Sequence, residues 1–199
     1  MVAALYVRKE TVYHGLEGVD CWDVMRNARY WPGGAPVVAH PPCAQWGNLK
    51  GLARRDPAEK SLGLLAVDQV RRWGGVLEHP QRSSLWDEAG LPKPGREANN
   101  WGYGREIERD RFGGFSICVD QWHWGHSAEK RTWLYICGWP MFQNLPPLPC
   151  RAGEPEKVVG TSVNRRDRVE IQKWEREATP MEFAKWLVLV ARQCIGFVP

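Results

Sequence analysis

The feature that most constrains the fold is a strand, a helix and a second strand predicted in succession between residues 37 and 77. Residues 37–39 form a short apolar run typical of a buried strand, and residues 56–73 carry a helical pattern. Residues 76–77 resume an apolar run after Gly74 and Gly75, which end the helix. Such a crossover is nearly always right-handed and brings its strands side by side in parallel. The sequence therefore predicts an α/β fold with a mostly parallel sheet.

The predicted helix has strong start signals. Asp56 stands at the N-cap, Pro57 at the first helical position, and Glu59 where a capping box closes. The side chains that recur at helical spacing on one face are Leu62, Leu65, Ala66, Gln69, Val70 and Trp73. We expect this face to pack on the sheet.

Three further apolar runs are predicted strands. They cover residues 3–7, 115–119 and 132–137, and residues 122–131 form a polar connection between the last two. A closing helix is expected over residues 179–194. It begins with a capping box formed by Thr179 and Glu182, and its apolar face consists of Ala184, Leu187, Val188, Ala191 and Cys194.

Two polar stretches are predicted loops. Residues 99–114 are rich in Gly, Asn and charge and are expected to form a mobile loop over the sheet edge. Residues 151–176 are expected to be a basic polar loop, because six basic side chains outnumber three acidic ones between residues 157 and 176. This basic surface is either a phosphate contact or simply a solvated loop.

Composition indicates one soluble domain that spans residues 1–199. The length suits a single core, and no apolar run approaches the roughly 20 residues that a membrane-spanning helix needs. Six cysteines form no Cys-x-x-Cys pair, and no signal-peptide pattern is visible, so a reduced, cytoplasmic protein is expected. The net charge of +4 permits an anionic partner without requiring one. The twelve tryptophans are expected mostly in the core, although exposed ones can stack on nucleobases.

Two reactive side chains follow the strands of the crossover. Cys43 comes shortly after residues 37–39, and Glu78 directly follows residues 76–77. Open α/β sheets place their ligand crevice outside the carboxyl ends of the strands, so we expect both side chains to face one pocket.

Cys43 is the candidate nucleophile. Pro41 and Pro42 precede it and stiffen the backbone, which helps to aim a thiolate. The alternative is an inert buried cysteine, which we expect instead for Cys21, Cys118, Cys137 and Cys194, because each lies in an apolar or periodic pattern.

Glu78 is the candidate acid. Its position after two apolar strand residues predicts partial burial, which would raise its pKa and suit it to donate a proton to a ring nitrogen. The equally weighted alternative is a structural ion pair with Arg82.

Three short motifs resemble those of DNA cytosine carbon-5 methyltransferases. They are Pro41-Pro42-Cys43, Glu78-His79-Pro80, and residues 121–131, which begin Gln-Trp-His-Trp-Gly and end Glu-Lys-Arg before an apolar strand. Their order and spacing agree with that family over about residues 36–140. The resemblance is closer still to short proteins of bacteriophage genomes, which would place this chain in a host cytoplasm.

The resemblance implies a single compact Rossmann-like domain with a shortened methyltransferase core and S-adenosylmethionine as cofactor. It implies that Cys43 attacks carbon-6 of cytosine, that Glu78 protonates ring nitrogen 3, and that Arg131 or Lys130 contacts base or phosphate. The remaining implied site residues are Asp20 and Pro41 for the cofactor, and Pro42, His79, Gln121, His126 and Lys130 for the substrate. The partner is then nucleic acid or a pyrimidine nucleotide.

The segment after the first predicted strand departs from the family, because residues 8–14 hold no glycine pair of the kind that cradles the cofactor. Asp20 is then the candidate to cap a second strand and hold a ribose. Two other functions therefore stay open: a non-catalytic descendant that binds nucleic acid or protein, and a folate-dependent enzyme that modifies a pyrimidine nucleotide.

The histidines allow a further interpretation. His40 lies three residues before Cys43, His123 three residues before His126, and His79 between the two pairs. Imidazole and thiolate at short spacing are usual zinc ligands, but no Cys-x-x-Cys anchor accompanies them, so we expect no metal.

Overall fold

The structure is a computed structural model that describes residues 1–47, 57–94, 108–140, 144–159 and 169–196. Its strands are β1 (Val2–Leu5), β2 (Val19–Trp22), β3 (Val37–Ala39), β4 (Gly75–Pro80), β5 (Phe115–Asp120), β6 (Ala128–Glu129), β7 (Arg131–Cys137), β8 (Lys157–Val158) and β9 (Val169–Glu170). Its α-helices are α1 (Pro57–Trp73), α2 (Leu85–Glu88), α3 (Lys173–Glu177) and α4 (Met181–Gln193).

Six strands form the main sheet in the order β2-β1-β3-β4-β7-β5. The first four are mutually parallel, whereas β7 runs antiparallel to both β4 and β5. The predicted α/β class with a mostly parallel sheet is therefore confirmed.

The crossover is confirmed as well. Helix α1 joins β3 to β4, which pair in parallel from Val37 opposite Gly75 to Ala39 opposite Leu77. Gly75 has a φ of +129°, and a Cβ there would lie 1.9 Å from the Val37 carbonyl oxygen. Only glycine permits this approach of the two backbones.

Helices cover both faces of the sheet. One core cluster joins Val38, Val76 and Leu134 to the buried face of α4. The other joins Ala39, Leu77 and Trp133 to α1, so alternate residues of each strand pack toward different helices. Among the tryptophans that the structure describes, seven are buried, which bears out their predicted role in the core: Trp46, Trp86, Trp122, Trp124, Trp133, Trp139 and Trp186.

The region predicted as a basic loop has more structure than expected. Strands β6, β8 and β9 form a second, parallel sheet of three, and α3 follows it. Two-residue strands leave no periodic pattern in a sequence, which is why they were missed. Residues 160–168 of this region lie outside the described residues.

The closing helix begins later than predicted. Its N-cap is Pro180, with no side-chain cap, so the predicted capping box at Thr179 is wrong. The capping box instead opens α3, where Gln172 and Glu175 satisfy each other's backbone groups. Asp56 and most of the predicted loop at residues 99–114 lie outside the described residues. Across the described chain, no helix is long and apolar enough to cross a membrane.

Candidate active site

The carboxyl edge of the main sheet contains the point where the chain changes direction. From β1 the chain goes to β2 on one side, and then crosses to β3 and β4 on the other. Open α/β sheets bind ligands outside the carboxyl ends of their strands at such a point. The residues that follow β1, β3, β4 and β5 surround this position.

Cys43 lies on the loop after β3. Two prolines restrict the backbone before it, and its carbonyl accepts hydrogen bonds from the Trp46 and Gly47 N–H groups at 3.0 and 2.9 Å. Trp46 is 1% exposed, so the turn is anchored in the core while the Cys43 side chain is exposed. The local sequence thus presents a free thiol from a fixed loop. Cys21, Cys118, Cys137 and Cys194 are buried, as predicted.

Glu78 is bound through both carboxylate oxygens. His40 Nδ1 lies 2.9 Å from Oε2, and Gln121 Nε2 donates to Oε1 at 3.0 Å. The Glu78 side chain is 12% exposed. Arg82 is not its partner, so the alternative of an Arg82 ion pair is wrong.

The predicted charge state of Glu78 is also wrong. Burial does raise its pKa, but the hydrogen bond and charge of His40, together with Lys130 and His79, outweigh burial and lower the pKa to about 2. The strand pattern in the sequence predicts that Glu78 is buried, but it does not reveal that His40, Lys130 and His79 lie near its carboxylate. Glu78 is therefore a carboxylate that only accepts hydrogen bonds at neutral pH.

Gln121 and Lys130 are brought together at the ends of the β5–β7 connection. The Asp120 carboxylate accepts hydrogen bonds from the Trp122 and Lys130 N–H groups, and the Gln121 N–H donates to the Lys130 carbonyl. Gln121 Nε2 also donates to Thr132 Oγ1 at 2.9 Å, and both side chains are fully buried. Gln121 thereby links β4 to β7.

Lys130 supplies positive charge to the crevice. Its Nζ donates to the Ala178 carbonyl at 3.0 Å. Burial lowers the pKa of Lys130, while Glu78, Cys43 and Glu177 act to raise it. Lys130 therefore interacts electrostatically with both Glu78 and Cys43.

The thiol of Cys43 is not ionised at rest. The surrounding protein and the Glu78 charge raise its pKa, and the opposing effect of Lys130 is smaller. The expected thiolate is therefore absent from the resting protein. A ligand that reduces the negative charge of Glu78 would favour ionisation.

Arg131 points away from the crevice, contrary to the prediction. Arg131 begins β7 and shares a face with Trp133, which packs on the α1 side, while Thr132 shares the other face with Leu134. Its side chain forms an ion pair with Glu129 and is 46% exposed. The motif left a one-residue ambiguity, and strand alternation resolves it in favour of Lys130.

Two predicted substrate contacts, His126 and His79, are enclosed by the protein. The ring nitrogens of His126 lie 2.8 Å from the Ala128 carbonyl oxygen and 3.1 Å from that of Glu175. His79 is fully buried on the α1 side, where its ring is tilted against Trp86 with the ring centroids 6.4 Å apart, and burial lowers its pKa to about 4. Both histidines therefore shape the crevice wall instead of facing a ligand.

The predicted cofactor residues are also engaged. Asp20 lies within β2, not at its end, and its carboxylate accepts hydrogen bonds from Trp22 Nε1 and Arg26. Pro41 is buried, whereas Pro42 is half-buried beside Cys43. Asp20 thus does not cap the strand as expected.

Tyr13 was missed by sequence interpretation. Thr11 caps the short 3-10 helix Val12–Gly15, which points Tyr13 at the crevice wall. Its hydroxyl lies 2.8 Å from His40 Nε2. No local pattern signals this contact, because it forms only when β1 and β3 pair.

The histidines do not gather as zinc ligands. His40 is bound by Tyr13 and Glu78, and His123 Nδ1 accepts from the Arg151 N–H at 3.2 Å. Within the described residues, no three His, Cys, Asp or Glu side chains are grouped as a metal site.

Comparison with protein-family models, curated proteins and solved structures finds no match to this chain. Function is therefore inferred from the site and from the motif resemblance alone.

Proposed function

We propose that this Rossmann-like domain modifies carbon-5 of a pyrimidine base, cytosine in the first place, through a covalent Cys43 adduct. The observation that carries this proposal is the convergence of an exposed thiol, an ionised carboxylate and a lysine at one crevice. The base enters as a free nucleotide, or from a single-stranded or flipped position in nucleic acid.

Cys43 is the nucleophile in this proposal. Its S–H proton is lost to solvent, and Lys130 stabilises the resulting thiolate. The thiolate then forms a bond to carbon-6, and the electrons of the ring double bond make carbon-5 nucleophilic. After carbon-5 has taken a substituent, loss of its proton restores the double bond and expels the thiolate.

Glu78 favours cytosine over uracil in this proposal. A carboxylate accepts only, so it suits the exocyclic amine of cytosine and a protonated ring nitrogen 3. Uracil presents a carbonyl oxygen where cytosine has the amine, and that oxygen would face the Glu78 charge. Ring nitrogen 3 takes a proton from solvent as the thiolate adds and returns it when the thiolate leaves. The Glu78 carboxylate stabilises this protonated ring and does not itself supply the proton.

The one-carbon donor would bind on the β1–β2 side of the edge. S-adenosylmethionine is the donor that the resemblance implies, but the β1–β2 side of the edge does not fit the assigned roles. Tyr6 follows β1 with a φ of +59° and donates to Gln69 Oε1 at 2.6 Å, and Asp20 is bound by Arg26 and Trp22. Calorimetry tests S-adenosylmethionine directly, and absence of binding would remove it as the donor.

Because Tyr6 and Asp20 on the β1–β2 side are hydrogen-bonded within the protein, a second candidate function is favoured. The chain would then be a non-catalytic descendant of the methyltransferase scaffold that binds nucleic acid or a partner protein.

A fluorine trap tests the proposal. An oligonucleotide or nucleotide with 5-fluorocytosine is incubated with the protein and either S-adenosylmethionine or a folate donor. Because fluorine cannot leave as a cation, the protein mass should rise by the substrate plus the transferred group, and Cys43→Ala should abolish this increase. Cys150→Ala is the matched control, since Cys150 is the other exposed thiol.

A second experiment needs no donor. Reversible addition of Cys43 to carbon-6 should exchange the carbon-5 hydrogen of cytosine for deuterium in heavy water. Absence of both exchange and adduct, with cytosine and uracil analogues, would leave the binding function as the better account.

A further inference from the structure

A hydrogen-bonded chain of two side chains supports Glu78 from behind. Tyr13 Oη lies 2.8 Å from His40 Nε2, and His40 Nδ1 lies 2.9 Å from Glu78 Oε2. Tyr13 is 1% exposed and the His40 side chain is 13% exposed. Neither group has a role in the addition chemistry described above.

The direction of these hydrogen bonds follows from the chemistry of the groups. Ionised Glu78 can only accept, so His40 Nδ1 must carry a hydrogen. In the neutral form of the ring, Nε2 is then an acceptor for the Tyr13 hydroxyl. Burial, Glu78 and Cys21 raise the pKa of Tyr13 well above its ordinary value, so its phenol keeps the hydrogen that it donates.

The far side of Glu78 is fixed in the same way. Gln121 Nε2 donates to Glu78 Oε1 at 3.0 Å and to Thr132 Oγ1 at 2.9 Å. Thr132 in turn donates to the Lys130 carbonyl at 3.1 Å, so its oxygen is free to accept from Gln121. Each Glu78 oxygen therefore has one protein donor and one lone pair left for a ligand.

We propose that His40 is a positioning residue for Glu78, and that Tyr13 acts on Glu78 only through His40 by fixing the ring tautomer. This inference rests on the proposed function, in which Glu78 receives two donors from cytosine. With its protein donors fixed, the carboxylate presents its remaining lone pairs to the base in one orientation. Glu78 and Tyr13 both favour the tautomer with the hydrogen on Nδ1, so loss of the Tyr13 donor weakens this preference and the hold of His40 on Glu78.

The kinetic test uses the donor-free deuterium exchange. His40→Ala should slow exchange about 10- to 100-fold with little change in cytidine nucleotide binding, because misplacement of a reacting group lowers the rate more than the affinity. His40→Asn should recover most of the rate, since its amide N–H occupies the position of Nδ1–H. A merely structural His40 would show no such rescue by Asn.

The dependence of Tyr13 on His40 is tested by a double substitution. Tyr13→Phe should slow exchange about tenfold in the natural protein and have almost no effect in the His40→Asn background, where no tautomer remains to be fixed. Tyr30→Phe is the matched control, because Tyr30 is 76% exposed. Equal effects of Tyr13→Phe in both backgrounds would overturn the proposal.

A second readout does not depend on catalysis. In the protein with ¹⁵N-labelled histidine, nuclear magnetic resonance should show the His40 hydrogen on Nδ1, and both Tyr13→Phe and Glu78→Gln should perturb the His40 ring nitrogens. If wild-type protein shows no exchange but this signature is present, the proposed function fails and the positioning chain stands. A His40 ring that responds to neither substitution overturns the chain itself.

Discussion

The two sides of the sheet's carboxyl edge differ in what their side chains are bound to. On the β3–β4 side, Glu78 is held by His40 and Gln121 and still has lone pairs toward the crevice. On the β1–β2 side, Tyr6 and Asp20 are engaged by Gln69 and Arg26 within the protein. The two sides of this edge therefore differ, because Glu78 keeps hydrogen-bonding capacity beyond its protein partners whereas Tyr6 and Asp20 are bound within the protein.

Acid stability should show the largest effect of this difference. The Glu78 pKa falls from 4.5 to about 2 on folding. A carboxyl group whose pKa is lowered by folding stabilises the folded state at pH values above its ordinary pKa. This contribution, about 3 kcal/mol, is lost as the pH falls from about 5 to 2. Glu78→Gln should remove most of this pH dependence, as measured by urea unfolding between pH 7 and pH 3. An unchanged acid profile in Glu78→Gln would contradict the charge assignment.

The next largest effect concerns carbon-5 exchange. Glu78→Gln should slow exchange roughly a hundredfold or more, the usual cost of removing a group that stabilises developing charge, because the amide no longer stabilises the protonated ring. The matched control is Glu88→Gln, an exposed carboxylate that pairs with Lys60 on another surface. Exchange at the natural rate in Glu78→Gln would remove Glu78 from the mechanism.

Lys130 and Arg131 are neighbours in the chain whose side chains lie on opposite faces of the sheet at the start of β7. Lys130→Met should slow exchange about tenfold, because the Cys43 thiolate loses its nearby cation. Arg131→Met should change the rate by less than about twofold, since Arg131 pairs with Glu129 outside the crevice. A large effect of Arg131→Met together with a small effect of Lys130→Met would instead favour Arg131 as the residue that contacts the base or phosphate.

The smallest effects are expected on the β1–β2 side. Tyr6→Phe and Asp20→Asn should each lower the free energy of unfolding by about 1 kcal/mol, the usual net value of a hydrogen bond, without changing exchange. Their unfolding curves and exchange rates are measured in parallel. Loss of exchange with full stability would show that this side belongs to the catalytic site.

The backbone plan of the site could be predicted from local patterns. The pattern of residues 56–73 predicts a helix, and crossover geometry then predicts that Cys43 and Glu78 lie at one edge of the sheet. This step needs only the order of elements, and no knowledge of side-chain contacts.

The charge states and the membership of the site could not be predicted in this way. Glu78 is ionised because His40 and Lys130 lie near it, and Tyr13 joins the site only through strand pairing. The motif does not distinguish Arg131 from Lys130 as the crevice residue, because a one-residue shift in the start of a strand changes the face on which every following side chain lies. Such contacts depend on tertiary structure.

The antiparallel position of β7 has a consequence for the order of folding. Strands β5 and β7 are joined by the short segment that holds Gln121 and Lys130, so their pairing closes a small loop. Contacts of low sequence separation form faster than those that require a long crossover. We therefore expect this hairpin, with two residues of the site in place, to form early and to serve as the template on which β4 later docks Glu78.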